Sequence, residues 1–378
     1  MRKITIIGGG LGGLVAAIAC AERGAKVTLH EAHSSLGGRA RGTAAPYVAH
    51  EGAHVFYADG PHWTWLAERG MVAPLGRPPA RAVLRASVRS GGRLRRTVPA
   101  GFLRMVADVR REAPVDEDFT TWASRRYGER AARAAASAIG VATYDADTGR
   151  LSAAFVWGLF RRVFAPAPPA VRWVIGGWQR TVDRLADRAR ELGVRVELRS
   201  RVTELPSGPV IVATELASAR ALLGDESLTW ESGHCELLDL AVRRDRRDQF
   251  IVFDLDEGAF HESYSMQDPT VAPEGESLFQ LDIPVRAGES RAQARHRLER
   301  FADLAVPDWR ERTTWKRAAS ARGRTGALDL PGRTWRDRPA IERGDGVFLA
   351  GDMVAAPGMR GEIAINSALR AAEGASNS

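Results

Sequence analysis

Lysine is almost missing from this chain of 378 residues. Lys3, Lys26 and Lys316 are the only three, so arginine supplies 51 of the 54 basic residues. Cysteine is as scarce: Cys20 and Cys235 stand alone, with no C-x-x-C pair and no metal-ligand spacing. That excludes a dithiol–disulfide exchange enzyme and gives no reason to expect an oxidising compartment. Long apolar runs are absent too. The longest uncharged stretch, residues 4–21, is broken by five glycines and is too short and irregular to span a bilayer. Met1-Arg2-Lys3 imitates the start of a secretion signal, but the apolar run that follows turns into glycines and ends in no small-residue cleavage site. The expectation is a buried first strand in a cytoplasmic protein.

A formal net charge of +8 raises the question of a polyanionic partner. The 46 acidic residues are interspersed among the arginines, and like charges run no further than pairs or triplets. Nucleic acid is therefore not expected as a partner. With 44% hydrophobic and 26% charged residues the chain is of ordinary globular type, long enough for two domains.

Glycine is plentiful, at 38 residues, and its placement is specific. Residues 3–7 are β-branched and apolar, as a buried parallel strand should be. Gly8-Gly9-Gly10-Leu11-Gly12-Gly13 follows at once, then a helical stretch closed by Gly24 and a second strand ending at Glu31. This is G-x-G-x-x-G between a strand and a helix, with an acidic residue 18 positions beyond the last glycine. Gly8 permits the tight turn, Gly10 lets backbone approach a diphosphate, and Gly13 lets the helix pack on the strand. Leu11 and Gly12 complete the turn, the helix N-terminus faces the phosphates, and Glu31 accepts hydrogen bonds from ribose hydroxyls. No second such motif follows any later strand, so a separate nicotinamide domain is not expected.

The loop Leu36-Gly37-Gly38-Arg39-Ala40-Arg41 after Glu31 resembles the flavin-dependent amine oxidase superfamily, which includes phytoene desaturases and protoporphyrinogen oxidases. In that superfamily the arginine of such a loop reaches the FAD diphosphate. The resemblance implies that Arg39 is this clamp, with Gly38 beside it; Arg41 is open between a cofactor contact and a surface arginine. The resemblance extends along most of the chain. Residues 118–152 are similar to a helical cap, and Val202 sits where relatives bond the adenine through a valine backbone. At the far end Gly351-Asp352 closes a buried strand, and Gly361-Glu362-Ile363 opens a helix. The resemblance places this aspartate near the ribityl chain and this helix N-terminus at the flavin O2 edge, where negative charge builds on reduction.

The implied fold is α/β: a Rossmann-like FAD-binding domain, doubly wound as in glutathione reductase, with an inserted α+β substrate domain of mixed sheet plus helical cap. Residues 1–75, 166–225 and 338–378 form the first, residues 76–165 and 226–337 the second. FAD is the expected cofactor. The expected reaction is hydride removal from a C–N or C–C bond of a small or medium-sized metabolite, with flavin N5 as acceptor and O2 or quinone as final acceptor. A non-redox isomerase or cyclase and a flavin monooxygenase stay open beside it.

Candidates for the chemistry itself are few. Hydride transfer to a flavin asks for positioning and desolvation more than for an acid or base. His54 is a candidate for the isoalloxazine side, or a structural histidine. Lys316 falls near the place where relatives hold a lysine that orders water, or is a solvated strand lysine. Tyr57, Tyr144 and Tyr264 are candidates to line a pocket. Residues 151–164 are apolar almost all round, which suits either a membrane-touching entrance for a lipophilic substrate or a helix buried between cap and sheet. Membrane contact is expected to be peripheral at most.

Overall fold

The computed structural model describes residues 1–52, 55–164 and 170–378. Its nucleotide-binding half is a parallel sheet of five strands in the order Val347–Leu349, Val210–Val212, Lys3–Ile7, Lys26–Glu31, Arg195–Leu198. Lys3–Ile7 is central and pairs in parallel on both sides, and Val210–Val212 is buried along its whole length. Continuous apolar runs are what a sheet covered on both faces requires. The helix Leu11–Glu22 buries every residue from Leu11 to Cys20. It lies against the helices Gly177–Glu191 and Gly361–Asn377, and its alanines and glycines let those neighbours come close. This is the doubly wound arrangement expected from the sequence.

The second half is a mixed sheet of seven strands: Thr313–Ala327, Ser232–Arg243, Glu276–Pro284, Phe260–Ser263, Ile251–Asp254, Ala86–Ser90 and Arg93–Arg95. Side-chain alternation gives it two distinct faces. Leu238, Leu240, Phe279, Leu281 and Ile283 pack on the helix Arg291–Ala305 through Leu298 and Phe301. The residues between them, Leu237, Asp239, Gln280 and Asp282, face the other way, towards the nucleotide-binding half.

Cap helices Ala100–Ala107, Phe119–Tyr127, Glu129–Ala138 and Ala153–Phe164 enclose a core of their own. Trp157 stacks on Phe160 at 5.2 Å, with Trp122 edge-on at 5.1 Å. The helix Ala153–Phe164 buries Val156, Trp157, Leu159 and Phe160, so its apolar face belongs to the cap core. Among the described residues no helix is long and apolar enough to cross a membrane.

Candidate functional site

Ligands of open α/β sheets bind beyond the carboxyl ends of the strands. Here all five ends open onto one cavity of about 830 Å³, at Gly8, Glu31, Ser200, Thr214 and Gly351-Asp352. Within it the glycines divide into two kinds. A Cβ at Gly13 would collide with the Gly8 carbonyl oxygen, and one at Gly12 would come within 3.2 Å of the Ala364 oxygen. These two exist for helix packing. Gly10 differs: its φ of −73° suits any residue, and a Cβ there would meet nothing within 4 Å. The protein's own packing does not require glycine at Gly10, so the open space over its backbone fits a bound group. Gly10 is also the N-cap of Leu11–Glu22, with no side-chain cap and no acidic residue in the first turn. Backbone N–H groups and the helix dipole favour an anion there.

Arg39 stands at the same place. Its fork donates to Asp352 at 2.6 and 2.9 Å and to the Arg324 carbonyl, so the opening and closing segments of the chain meet in one ion pair. Gly38, with φ +53°, lies beside Gly10. Arg41 is exposed at the cavity mouth and donates to Ser35. Glu31 accepts from Gly9 N at 2.7 Å and from His33 N and Nδ1 at 2.8 Å. Burial raises its carboxyl pKa, but the hydrogen bonds from His33 and Gly9 outweigh that and hold it below its ordinary value. An anionic acceptor so fixed suits ribose hydroxyls. Val202 lines the same end.

The other end of the cavity is lined by Tyr144, Arg360, Leu237 and Ala321. Tyr144 and Arg360 both sit at positive φ, 53° and 49°, and the guanidinium lies 4.0 Å over the tyrosine ring. Tyr144 Oη and Arg360 Nε are buried without a hydrogen-bond partner among the described residues, as is Asp282 Oδ1. Burial pushes Asp282 well above the usual carboxylate range; Arg360 opposes this, and Glu262 and Asp239 add to it. Asp239 is raised to about 6 by burial in spite of Arg317 at 2.7 Å and Gln280 at 2.9 Å. Burial lifts Glu262 to about 7, although Trp173 and Gln267 donate to it at 2.8 and 3.0 Å. None of these three carboxyl groups lines the cavity; they are buried on the same face of the sheet as Leu237, which does.

Glu262 gives a pH prediction. Because its folded pKa is raised, the stability it contributes is complete below its ordinary value of 4.5 and is lost as pH rises through 7. Glu262→Gln is expected to stabilise the fold at about pH 8 by on the order of 2–3 kcal/mol and not to stabilise it at about pH 4. Denaturant titrations at both pH values measure the difference; an unaltered pH slope contradicts it.

The residues named from the sequence fall into three groups. Gly8, Gly10, Leu11, Gly12, Glu31, Gly38, Arg39, Arg41, Val202, Gly351, Asp352 and Gly361 all line the cavity. Gly13, Glu362 and Ile363 do not. Gly13 packs helix on strand, Ile363 is core, and Glu362 turns to Arg162 at 2.8 Å and caps Met359 N. The closing helix reaches the cavity through Gly361 and Ala364 instead. Lys316 is exposed and pairs with Leu240, on the helix-covered face of the sheet. It is not brought to the cavity; its neighbour Arg317, opposite Asp239, is on the cavity side. Of the three tyrosines only Tyr144 lines the cavity. His54 lies outside the described residues. His50 lines the cavity, accepts from Trp178 N at 3.2 Å and is held near 3 by burial, hence neutral. His50, Arg360 and the three carboxyls were not foreseen. The polar residues at alternate positions in Gln280-Leu281-Asp282 were the available signal.

The NAD(P)-binding Rossmann-like domain family matches residues 6–69, the segment that builds the glycine turn and the Arg39 loop. An oxidoreductase from Methanosarcina mazei superimposes over 98% of this chain and 100% of its own, with 16% identity and a TM-score of 0.77. Cyclohexylamine oxidase from Brevibacterium oxydans does so over 100% and 99%, with 16% identity and a TM-score of 0.73. These likenesses show a shared fold. It also covers reduced UDP-galactopyranose mutase, at 99% and 95% of the two chains, 13% identity and a TM-score of 0.70. A search of curated proteins finds no match. The shared fold accounts for both halves, since the likeness spans the seven-stranded sheet and the cap as well as the glycine turn.

Proposed function

We propose that the protein is an FAD-dependent oxidoreductase that takes a hydride from a C–N or C–C bond of a small or medium-sized metabolite. The observation that carries this reading is the single cavity that runs from an unneeded glycine at a bare helix N-terminus to a buried, unsatisfied polar end. Gly10, Gly38, Arg39 and Gly351 suit the diphosphate, Glu31 the adenosine ribose, and Gly361 the last part of the cofactor. Bound there, FAD supplies the hydride acceptor. The chain's own residues then have three tasks. The cap and the sheet exclude water, which strengthens every polar contact inside. Tyr144 Oη and Arg360 Nε offer donors that orient a polar substrate atom. Asp282 lies outside the cavity lining, and burial favours its protonated form, so it leaves the charge of Arg360 uncompensated at this end.

Two of the three similar structures named above are an amine oxidase and a mutase, and the test separates these chemistries. Amines and unsaturated acids are added to the FAD-loaded protein without oxygen. Bleaching of the yellow flavin by one class identifies the oxidised bond and supports the proposal. Product formation only with pre-reduced flavin, and no bleaching by any compound, replaces it with an isomerase. Reoxidation by O2 or by quinone then identifies the final acceptor.

A further inference from the structure

The net charge is not spread over the surface. Residues 77–111 hold ten arginines and one acidic residue, Asp108, a balance of +9. The rest of the chain has 44 basic and 45 acidic residues, so the entire excess lies in this one segment. It forms the hairpin Ala86–Ser90/Arg93–Arg95 at one edge of the seven-stranded sheet, with a helix on either side, Ala80–Val83 and Ala100–Ala107. The parts share one edge of the molecule. Phe102 touches Phe164 at 5.2 Å, Phe164 touches Phe253 at 5.2 Å, and Phe253 pairs in register with Val88 of the hairpin. Arg95, Ala100 and Gly101 also line one cavity of about 540 Å³ with Arg130.

Most of these arginines are not engaged by acid groups. Arg89 is held by Asp254 and Glu257, and Arg111 by Asp108. Arg77, Arg93, Arg95, Arg96, Arg104 and Arg110 are exposed and make no ion pair among the described residues. Between them two leucines stand out into solvent: Leu84 is 68% exposed and Leu103 59%. Apart from Met1, they are the most exposed large hydrophobic side chains among the described residues. Exposed arginines alone would keep the sheet edge from pairing with another chain. Leucines pushed out beyond them do not serve that purpose.

We propose that this edge docks the protein on an anionic lipid bilayer. Arginines near such a surface are each drawn to it, and neighbouring leucines enter the headgroup boundary. Nucleic acid would satisfy the arginines but leave the leucines in water, so the bilayer is the better match. The proposal stands independently of the cofactor.

Co-sedimentation of the purified protein with vesicles tests it. The wild type is expected to pellet with phosphatidylcholine–phosphatidylglycerol vesicles, to be released by high salt, and to stay free with phosphatidylcholine alone. R93E/R95E/R96E is expected to weaken partitioning by about a hundredfold and L84S/L103S by about tenfold, with thermal midpoints showing that both still fold. Failure of the wild type to bind the anionic vesicles overturns the proposal, as does full binding by the triple variant. Tight binding to a DNA duplex that L84S/L103S leaves intact also overturns it, in favour of nucleic acid.

Discussion

Gly10→Val is expected to give a folded protein that cannot hold FAD. The backbone at Gly10 is extended, with φ −73° and ψ −173°, and a side chain there meets no protein atom within 4 Å of its Cβ. The fold should therefore lose less than about 1 kcal/mol, the range of a tolerated surface change. The valine methyls would occupy the space in which a diphosphate must approach the N–H groups of the first helical turn. An FAD affinity lower by about a thousandfold follows if most of the anion contacts are lost, at about 1.4 kcal/mol per factor of ten. Gly13→Val is the matched contrast, because its side chain would collide with the Gly8 carbonyl oxygen. There the strand and helix must part, and the fold itself should fail. Flavin-to-protein ratio and thermal midpoint, measured on both variants, separate the two outcomes. A yellow, fully loaded Gly10→Val protein would contradict the assignment of this turn.

Arg39→Met is expected to affect both fold and cofactor. The guanidinium joins Asp352 through two hydrogen bonds, and Asp352 is only 8% exposed. Removing one partner leaves a largely buried carboxylate, a loss of roughly 2–3 kcal/mol for a pair that is partly solvated on the arginine side. The same arginine holds a guanidinium fork beside the Gly10 turn, so FAD affinity should fall by about a hundredfold. Asp352→Asn keeps the shape and removes the charge, and should lose less of both. Urea titration and FAD titration read the two effects separately. Equal FAD affinity in wild type and Arg39→Met would show that the fork serves only the ion pair.

The sequence made the cofactor end legible because its contacts are local. Gly8 to Gly13 and Glu31 lie within one strand–helix–strand unit, where spacing dictates position, and Arg39 follows in a loop placed by its resemblance to known flavoproteins. The polar end is assembled from Tyr144 and Arg360, with Asp239, Glu262 and Asp282 buried on the adjoining sheet face, and these residues share no local pattern. Lys316 and Arg317 show how fine the missing information is. Side chains alternate across a strand, so one step in register exchanges the cavity face for the helix-covered face. Only the pairing of Arg317 with Asp239 and of Lys316 with Leu240 decides it. The clustering of charge escapes a reading of the sequence for a similar reason. Searching for runs of like charge finds only pairs and triplets, whereas the excess is gathered over 35 residues and becomes one edge only when the hairpin and its flanking helices fold together.

Adding FAD to the purified protein and following flavin fluorescence tests the central claim most directly. One equivalent should bind, with the fluorescence quenched and the bound spectrum shifted as the ring leaves water. A folded, colourless protein that leaves added FAD free in solution would contradict the account.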